Sequence, residues 1–163
     1  MSRAWIWGEG GETLEIVYFL SLGYDGLMVD QRFSVSVHIM TALAFHKGEL
    51  MTSEQLASSI RTNPTVIRRL VAKLVEAGLL ESFKGKAGGV RLSKTAKEIS
   101  LKDIYTAVCD KKLIATPDKE PSKQCLVSCN MGKLLDEVVN GIESNSMNYL
   151  SSIRLSELTS KIK

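Results

Sequence analysis

Apolar residues recur at helical spacing in five stretches of this chain, and two short strand-like runs flank a single glycine-rich tip. In residues 33–46, Val37, Met40, Ala44 and Phe45 mark a core-facing side, and Gly48 ends the helix. In residues 52–60, Thr52 and Gln55 have capping-box spacing, and Leu56 and Ile60 share a face. A second start signal follows at once. Asn63 is a good N-cap, and Pro64 suits the first helical position, where no N–H is needed. Val66, Ile67, Leu70, Val71, Leu74 and Val75 then form a stripe, and Gly78 stops the helix. Thr65, Arg68, Arg69, Ala72, Lys73 and Glu76 remain on its outer face. Residues 79–84 and 90–92 read as strands around Gly85-Lys86-Ala87-Gly88-Gly89. Ser100 caps the next helix with Asp103, and Leu101, Ile104, Tyr105 and Val108 make its apolar face.

Residues 111–124, with Pro117 and Pro121, read as a loop. The last long helix is predicted from about Met131, capped by Ser128 or Asn130. Its stripe runs from Met131, Leu134, Leu135, Val138 and Val139 to Ile142, Tyr149, Leu150 and Ile153. Residues 156–163 are expected to add a short final turn. The fold class is therefore mainly α with a small β-wing. A winged helix-turn-helix domain occupies residues 28–110, a loop residues 111–130, and a long dimerisation helix residues 131–163. A helix of that length with an apolar stripe and no second helix to cover it suggests a partner subunit. The alternative is that it folds back onto the winged domain.

Charge gives this outline a function. Residues 61–97 hold nine Lys/Arg against two acids, a net +7, while the whole chain is only +3. Phosphate neutralisation needs such a local patch rather than a basic protein overall. A short helix pair whose second member carries exposed Thr and Arg near its N-terminus is the geometry that enters a major groove. The competing class is a protein-interaction adaptor that uses the winged domain as a docking surface without DNA. Hydrophobic content of 44% and charged content of 24% suit a chain that buries an ordinary core. No Ser/His/Asp or Cys/His set is suggested by spacing, and no Walker or Rossmann glycine pattern occurs, so no enzyme is indicated. His38 and His46, the two histidines, lie eight apart in one helix and read as surface or packing residues rather than metal ligands.

Asn63-Pro64, Arg68-Arg69-Leu70, Ala77-Gly78-Leu79, Gly85 with Gly88-Gly89, and Ile99 through Asp103-Ile104 to Ala107-Val108 resemble the hallmarks of the Rrf-two family of bacterial winged-helix transcriptional regulators. The resemblance runs from about Phe33 to the C-terminus, strongly to Val108 and more loosely beyond. It implies a cytoplasmic homodimer that binds double-stranded DNA at a palindromic operator, most simply as a repressor occupying a promoter. Thr65 and Arg68 stand where family members contact base edges; Arg suits guanine O6/N7. Asn63 and Arg69 are placed for phosphates. Lys73 completes the set on the outer face. Lys84 stands where the family often has a wing Arg that enters the minor groove, and Lys lacks that planar fork. Lys86 sits at the wing tip, where Gly88 and Gly89 permit the turn and let backbone approach DNA.

The three cysteines bear on the signal. Cluster-binding family members carry three closely spaced cysteines in the loop. Here Cys109 closes the preceding helix, Cys125 follows sixteen positions on, and Cys129 four after that. This spacing does not match, and cluster ligation wants Cys₄ or an equivalent set. The expected cofactor is therefore none, with an iron–sulfur cluster as the alternative. Cys125 and Cys129 form a C-x₃-C pair beside a helix N-terminus, a candidate redox switch. They are otherwise ordinary small residues in a reducing compartment. A protein co-regulator could also supply the signal.

Residues 1–27 are the odd part. They hold Trp5 and Trp7, and residues 16–22 form an apolar run far shorter than the ~20 residues a membrane span needs. Glu9, Glu12 and Glu15 stand where a signal peptide would carry positive charge. The expectation is no membrane partner, an extension without a functional role, and Met28 as a natural alternative start.

Overall fold

The computed structural model describes residues 31–85, 87–110, 114, 122 and 124–162. The expectations for residues 1–27, for Lys86 and for most of the 111–124 loop lie outside these.

Helix α1 (Arg32–Phe45) runs through the core. Its buried side is Ser36, Ile39, Met40 and Leu43. Only Met40 belongs to the face expected from sequence; Val37 and Ala44 are half-buried against the core, and Phe45 is exposed. Ser34, His38 and Thr41, spaced i, i+4, i+7, mark the outer side, and the buried side lies opposite them; Ser36 on that buried side hides the phase in the sequence. Helix α2 (Ser53–Ile60) starts at the predicted capping box. Thr52 Oγ1 accepts from Gln55 N at 3.2 Å, and Gln55 Oε1 accepts from Thr52 N at 2.8 Å. Its turn runs through Arg61 in the left-handed region (φ 56°), with Thr62 N donating to the Ala57 carbonyl at 3.0 Å.

Helix α3 (Pro64–Glu76) follows, capped by Asn63 Oδ1 accepting from Thr65 N at 2.8 Å. Ile67, Leu70, Val71 and Leu74 are buried. The stripe is narrower than expected, since Val66 in the first turn is exposed. Gly78 (φ +69°) closes the helix, and Leu79 N reaches back to the Leu74 carbonyl at 2.9 Å.

Strands β1 (Leu80–Phe83) and β2 (Gly89–Leu92) pair antiparallel, Leu80 with Leu92 and Phe83 with Gly89. Leu80 and Val90 face the core; Glu81, Phe83 and Arg91 are on the other face. A backbone bridge ties this wing to the segment before α2: Met51 N donates to the Val90 carbonyl at 3.1 Å and Val90 N to the Met51 carbonyl at 2.9 Å. Helix α4 (Leu101–Val108) is capped by Ser100 and Asp103 as predicted, and buries Leu101, Ile104 and Val108.

The long helix α5 (Leu126–Ser152) begins well before Met131. Neither Ser128 nor Asn130 caps it. Cys125 is the N-cap, its Sγ accepting from Ser128 N at 3.5 Å, while Asn130 donates back to the Leu126 carbonyl at 2.8 Å. Cysteine is not among the preferred N-caps, so the sequence carried no start signal there. At ~1.5 Å per residue the helix is about 40 Å long, yet Val139 is its single buried residue. Leu126, Val127, Leu134, Val138 and Tyr149 are each more than half exposed. Its C-terminal end leans on the winged domain through Leu150.

The short final turn expected from sequence is a short helix tied to the core. Ile153 leaves the helix in extended conformation and accepts from Leu101 N at 3.0 Å, and Leu155 N donates to the Ile99 carbonyl at 2.9 Å. Helix α6 (Leu155–Ser160) then packs on α1, with Leu155 fully buried.

Candidate nucleic-acid interface

The turn at Arg61 and the cap at Asn63 bring the N-terminus of α3 to the surface, with Asn63, Thr65, Arg68 and Arg69 all exposed. Beside it stands the wing. Together they border an open trough of about 620 Å³ lined by Thr52, Arg68, Ala72, Phe83 and Gly88 among others. This trough joins the Arg68 side of α3 to the wing base.

The cations of α3 and the wing differ in their partners. Arg68 is paired with Glu54 in the first turn of α2. The Glu54 carboxyl lies below its ordinary range, held there first by the backbone N–H at the start of α2 and then by Arg68. Lys73 is half-buried and donates to Asp110 Oδ2 at 2.7 Å; Arg32 from α1 donates to the same oxygen at 3.0 Å. These two cations, Lys73 foremost, depress the Asp110 carboxyl. On the wing, Arg91 bonds Glu81 at 3.0 Å and lies 4.8 Å over the Phe83 ring. Among the described residues no ion pair involves Arg69 or Lys84.

Asn63, Thr65, Arg68, Arg69 and Lys84 are all exposed, but Arg68 borders the trough facing the wing, whereas Arg69 borders a second depression with Lys73, Arg32 and Asp110. Lys73 lies farther along α3 and is drawn towards α1 and the end of α4. Lys86 lies outside the described residues. Sequence reasoning missed Glu54, Arg91, Asp110 and Arg32. Only Glu81 and Arg91, flanking a short hairpin, carry a spacing that could have been read as a cross-strand pair.

Gly88 and Gly89 have a packing reason of their own in the hairpin. Neither has a positive φ; the turn itself uses Gly85 (φ +107°). A Cβ on Gly88 would meet the Phe83 carbonyl oxygen at 2.3 Å, and one on Gly89 the Met51 carbonyl oxygen at 2.8 Å. Protein backbone passes so close to both that neither has room for a Cβ.

The cysteines do not form one site. Cys125 and Cys129 are exposed in the first turn of α5, Cys129 Sγ donating to the Ser122 carbonyl at 3.3 Å, while Cys109 is half-buried at the end of α4. Among the described residues no three His, Cys, Asp or Glu side chains gather as a metal set. His38 lies 3.3 Å from Ser59 Oγ and His46 3.7 Å from Glu49, as surface residues.

A sequence profile of the Rrf2 family, described as iron-dependent transcriptional regulators, matches residues 29–161. The chain belongs to the Rrf2 family. It is similar to YwnA of Bacillus subtilis strain 168, named an HTH-type transcriptional regulator, with 30% identity over 131 residues covering 80% of this chain and 96% of that one. Among solved structures, a transcriptional regulator of Lactobacillus plantarum superposes with a TM-score of 0.70 at 24% identity, covering 82% of this chain and 91% of that one. CymR, the global cysteine regulator of B. subtilis, does so with a TM-score of 0.60 at 21% identity, covering 84% and 99%. This Rrf2 protein thus has the winged-helix fold of a DNA-binding transcriptional regulator, in a family of regulators rather than enzymes. None of the described helices is long and apolar enough to cross a membrane.

Proposed function

We propose that this Rrf2 protein is a sequence-specific DNA-binding repressor that acts in the cytoplasm as a homodimer on a palindromic operator. The winged domain, residues 28–110, lays the N-terminus of α3 into a major groove. Thr65 and Arg68 meet base edges there, Asn63 and Arg69 meet phosphates, and Lys84 and Lys86 bring the wing to the adjacent backbone or minor groove. Lys73 contributes at the edge of this patch. The observation that carries the reading is the exposed start of α3 together with the trough that Arg68 shares with the wing, with Arg69 and Lys84 outside any ion pair among the described residues.

The exposed apolar stripe of α5, Leu134 and Val138 at its centre, supports pairing of two copies through that helix. Two copies would place two α3 helices on half-sites about 10 base pairs apart or a multiple of that. Occupying a promoter in this way blocks transcription. Cys125 and Cys129, both exposed on the first turn of α5, support a second element: a thiol-based response to oxidants at the start of the pairing helix.

Selection from a randomised duplex pool, followed by titration at several salt concentrations, tests the reading. The expected result is a two-fold symmetric site, a steep salt dependence of about 0.9 per phosphate contacted, and a mass by light scattering twice the 17.9 kDa of the chain. Binding to no duplex, or binding without salt dependence, favours the adaptor reading instead.

A further inference from the structure

Arg68 is an exposed arginine on the outer face of α3 whose guanidinium is occupied by an acid from another helix. An unheld arginine at such a position meets any phosphate it reaches, which adds affinity without sequence information. Glu54 changes this. It lies fourteen positions earlier, in the first turn of α2, beside the capping box that fixes that turn. Its carboxylate takes one nitrogen of Arg68, Nη2. A guanidinium has five N–H donors, and guanine O6 and N7 need two of them. Arg68 can therefore read guanine while Glu54 stays bound. On a phosphate, the same carboxylate is brought against anionic oxygens and repels them.

We propose that Glu54 is a positioning residue that makes Arg68 selective: it presents the guanidinium to guanine and penalises its use on phosphate. This rests on the reading above that Arg68 meets a base edge. The contribution of an exposed pair sets the scale, a preference change of about two- to fivefold. The bland role for Glu54 is a negative charge favouring the N-terminus of α2, which would affect folding alone.

The experiment uses the full chain and the duplex selected from the randomised pool. Affinities are measured for that duplex, for the same duplex with each G·C pair in turn changed to A·T, and for random-sequence duplex. The proteins are wild type, Glu54→Gln, Arg68→Ala and the double variant, with thermal melting of each. Glu54→Gln is expected to lower the guanine preference at the position Arg68 reads by about two- to fivefold and to tighten binding to random duplex. In the Arg68→Ala background, the same substitution should leave base preference unchanged. A Glu54→Gln variant that shifts all duplexes by one common factor, or that melts lower with its base preference intact, overturns the proposal. If Arg68→Ala keeps the guanine preference, the base-reading role of Arg68 fails and that of Glu54 with it. If Arg68→Ala loses the preference while Glu54→Gln keeps it, only the role of Glu54 falls.

Discussion

Gly88→Ala is the sharpest test of how the wing is built. The new Cβ would lie 2.3 Å from the Phe83 carbonyl oxygen, 2.9 Å from the Gly85 carbonyl oxygen and 3.0 Å from the Lys84 carbonyl carbon. A comfortable C···O approach is about 3.3 Å, so the hairpin must open by about 1 Å. Every clashing atom is backbone, and no side chain can swing aside. Opening strains the Gly88 N to Gly85 carbonyl bond of 3.0 Å and the terminal Phe83–Gly89 pair. Overpacking of this kind costs about 1–3 kcal/mol. At about 2–4 °C per kcal/mol for a chain of this size, a 2 kcal/mol loss lowers Tm by about 4–8 °C. Should the tip fray by itself, the global loss is smaller, because local opening limits it. Amide exchange then reveals faster exchange at Val90 and Gly89. Calorimetry together with hydrogen exchange on the full chain is the assay. A Gly88→Ala protein with wild-type melting and wild-type protection through β2 would refute the argument that this position has no room for a methyl group.

Gly141 on α5 meets nothing within 4 Å of an added Cβ, so Gly141→Ala should stabilise the chain by about 0.5–1 kcal/mol in thermal melting. A destabilisation that deepens on dilution would instead place a partner helix against that position. Leu155→Ala should cost about 2–5 kcal/mol in urea unfolding, since its side chain is fully buried; a loss under 1 kcal/mol would mean the C-terminal helix is not core. Asp110 has its folded-state pKa depressed, by Lys73 first and then Arg32. Its stabilising contribution is thus present above the unfolded value of about 4 and lost as pH falls through the lower folded value. Asp110→Asn should therefore narrow the gap in Tm between pH 7 and pH 3, and an unchanged gap would argue against the clamp. Val138→Asp should halve the mass seen by light scattering while leaving the winged domain folded; a dimer that persists would exclude that face of α5 as the interface.

Most of the fold was legible where side chains talk to their own backbone. Thr52 with Gln55, Asn63 with Pro64, and Ser100 with Asp103 place three helix starts, because caps are local and need nothing from the rest of the chain. Positions decided by distant contacts were harder to read. The buried side of α1 includes Ser36, a polar residue that obscures the helical phase marked by Ser34, His38 and Thr41. The start of α5 rests on a cysteine cap, and α6 exists because Leu155 fills a gap beside α1. The exposure of Asn63, Thr65, Arg68 and Arg69 was legible, being a matter of helical phase. The acidic partners of α3 were not, since Glu54 and Asp110 meet their cations fourteen and thirty-seven positions away.

The return of the chain after α5 has a consequence for synthesis. Residues 153–155 hydrogen-bond to both sides of Ser100, and Leu155 completes the core around α1 and α4. A nascent chain therefore carries α1 to α4 well before it has the segment that closes their core. The winged domain matures only when residues beyond 150 have cleared the ribosome, by which time α5 has already been made. A chain ending soon after Ser152 would keep α5 yet lack Leu155 and the extended segment that brackets Ser100, so its core would be left open.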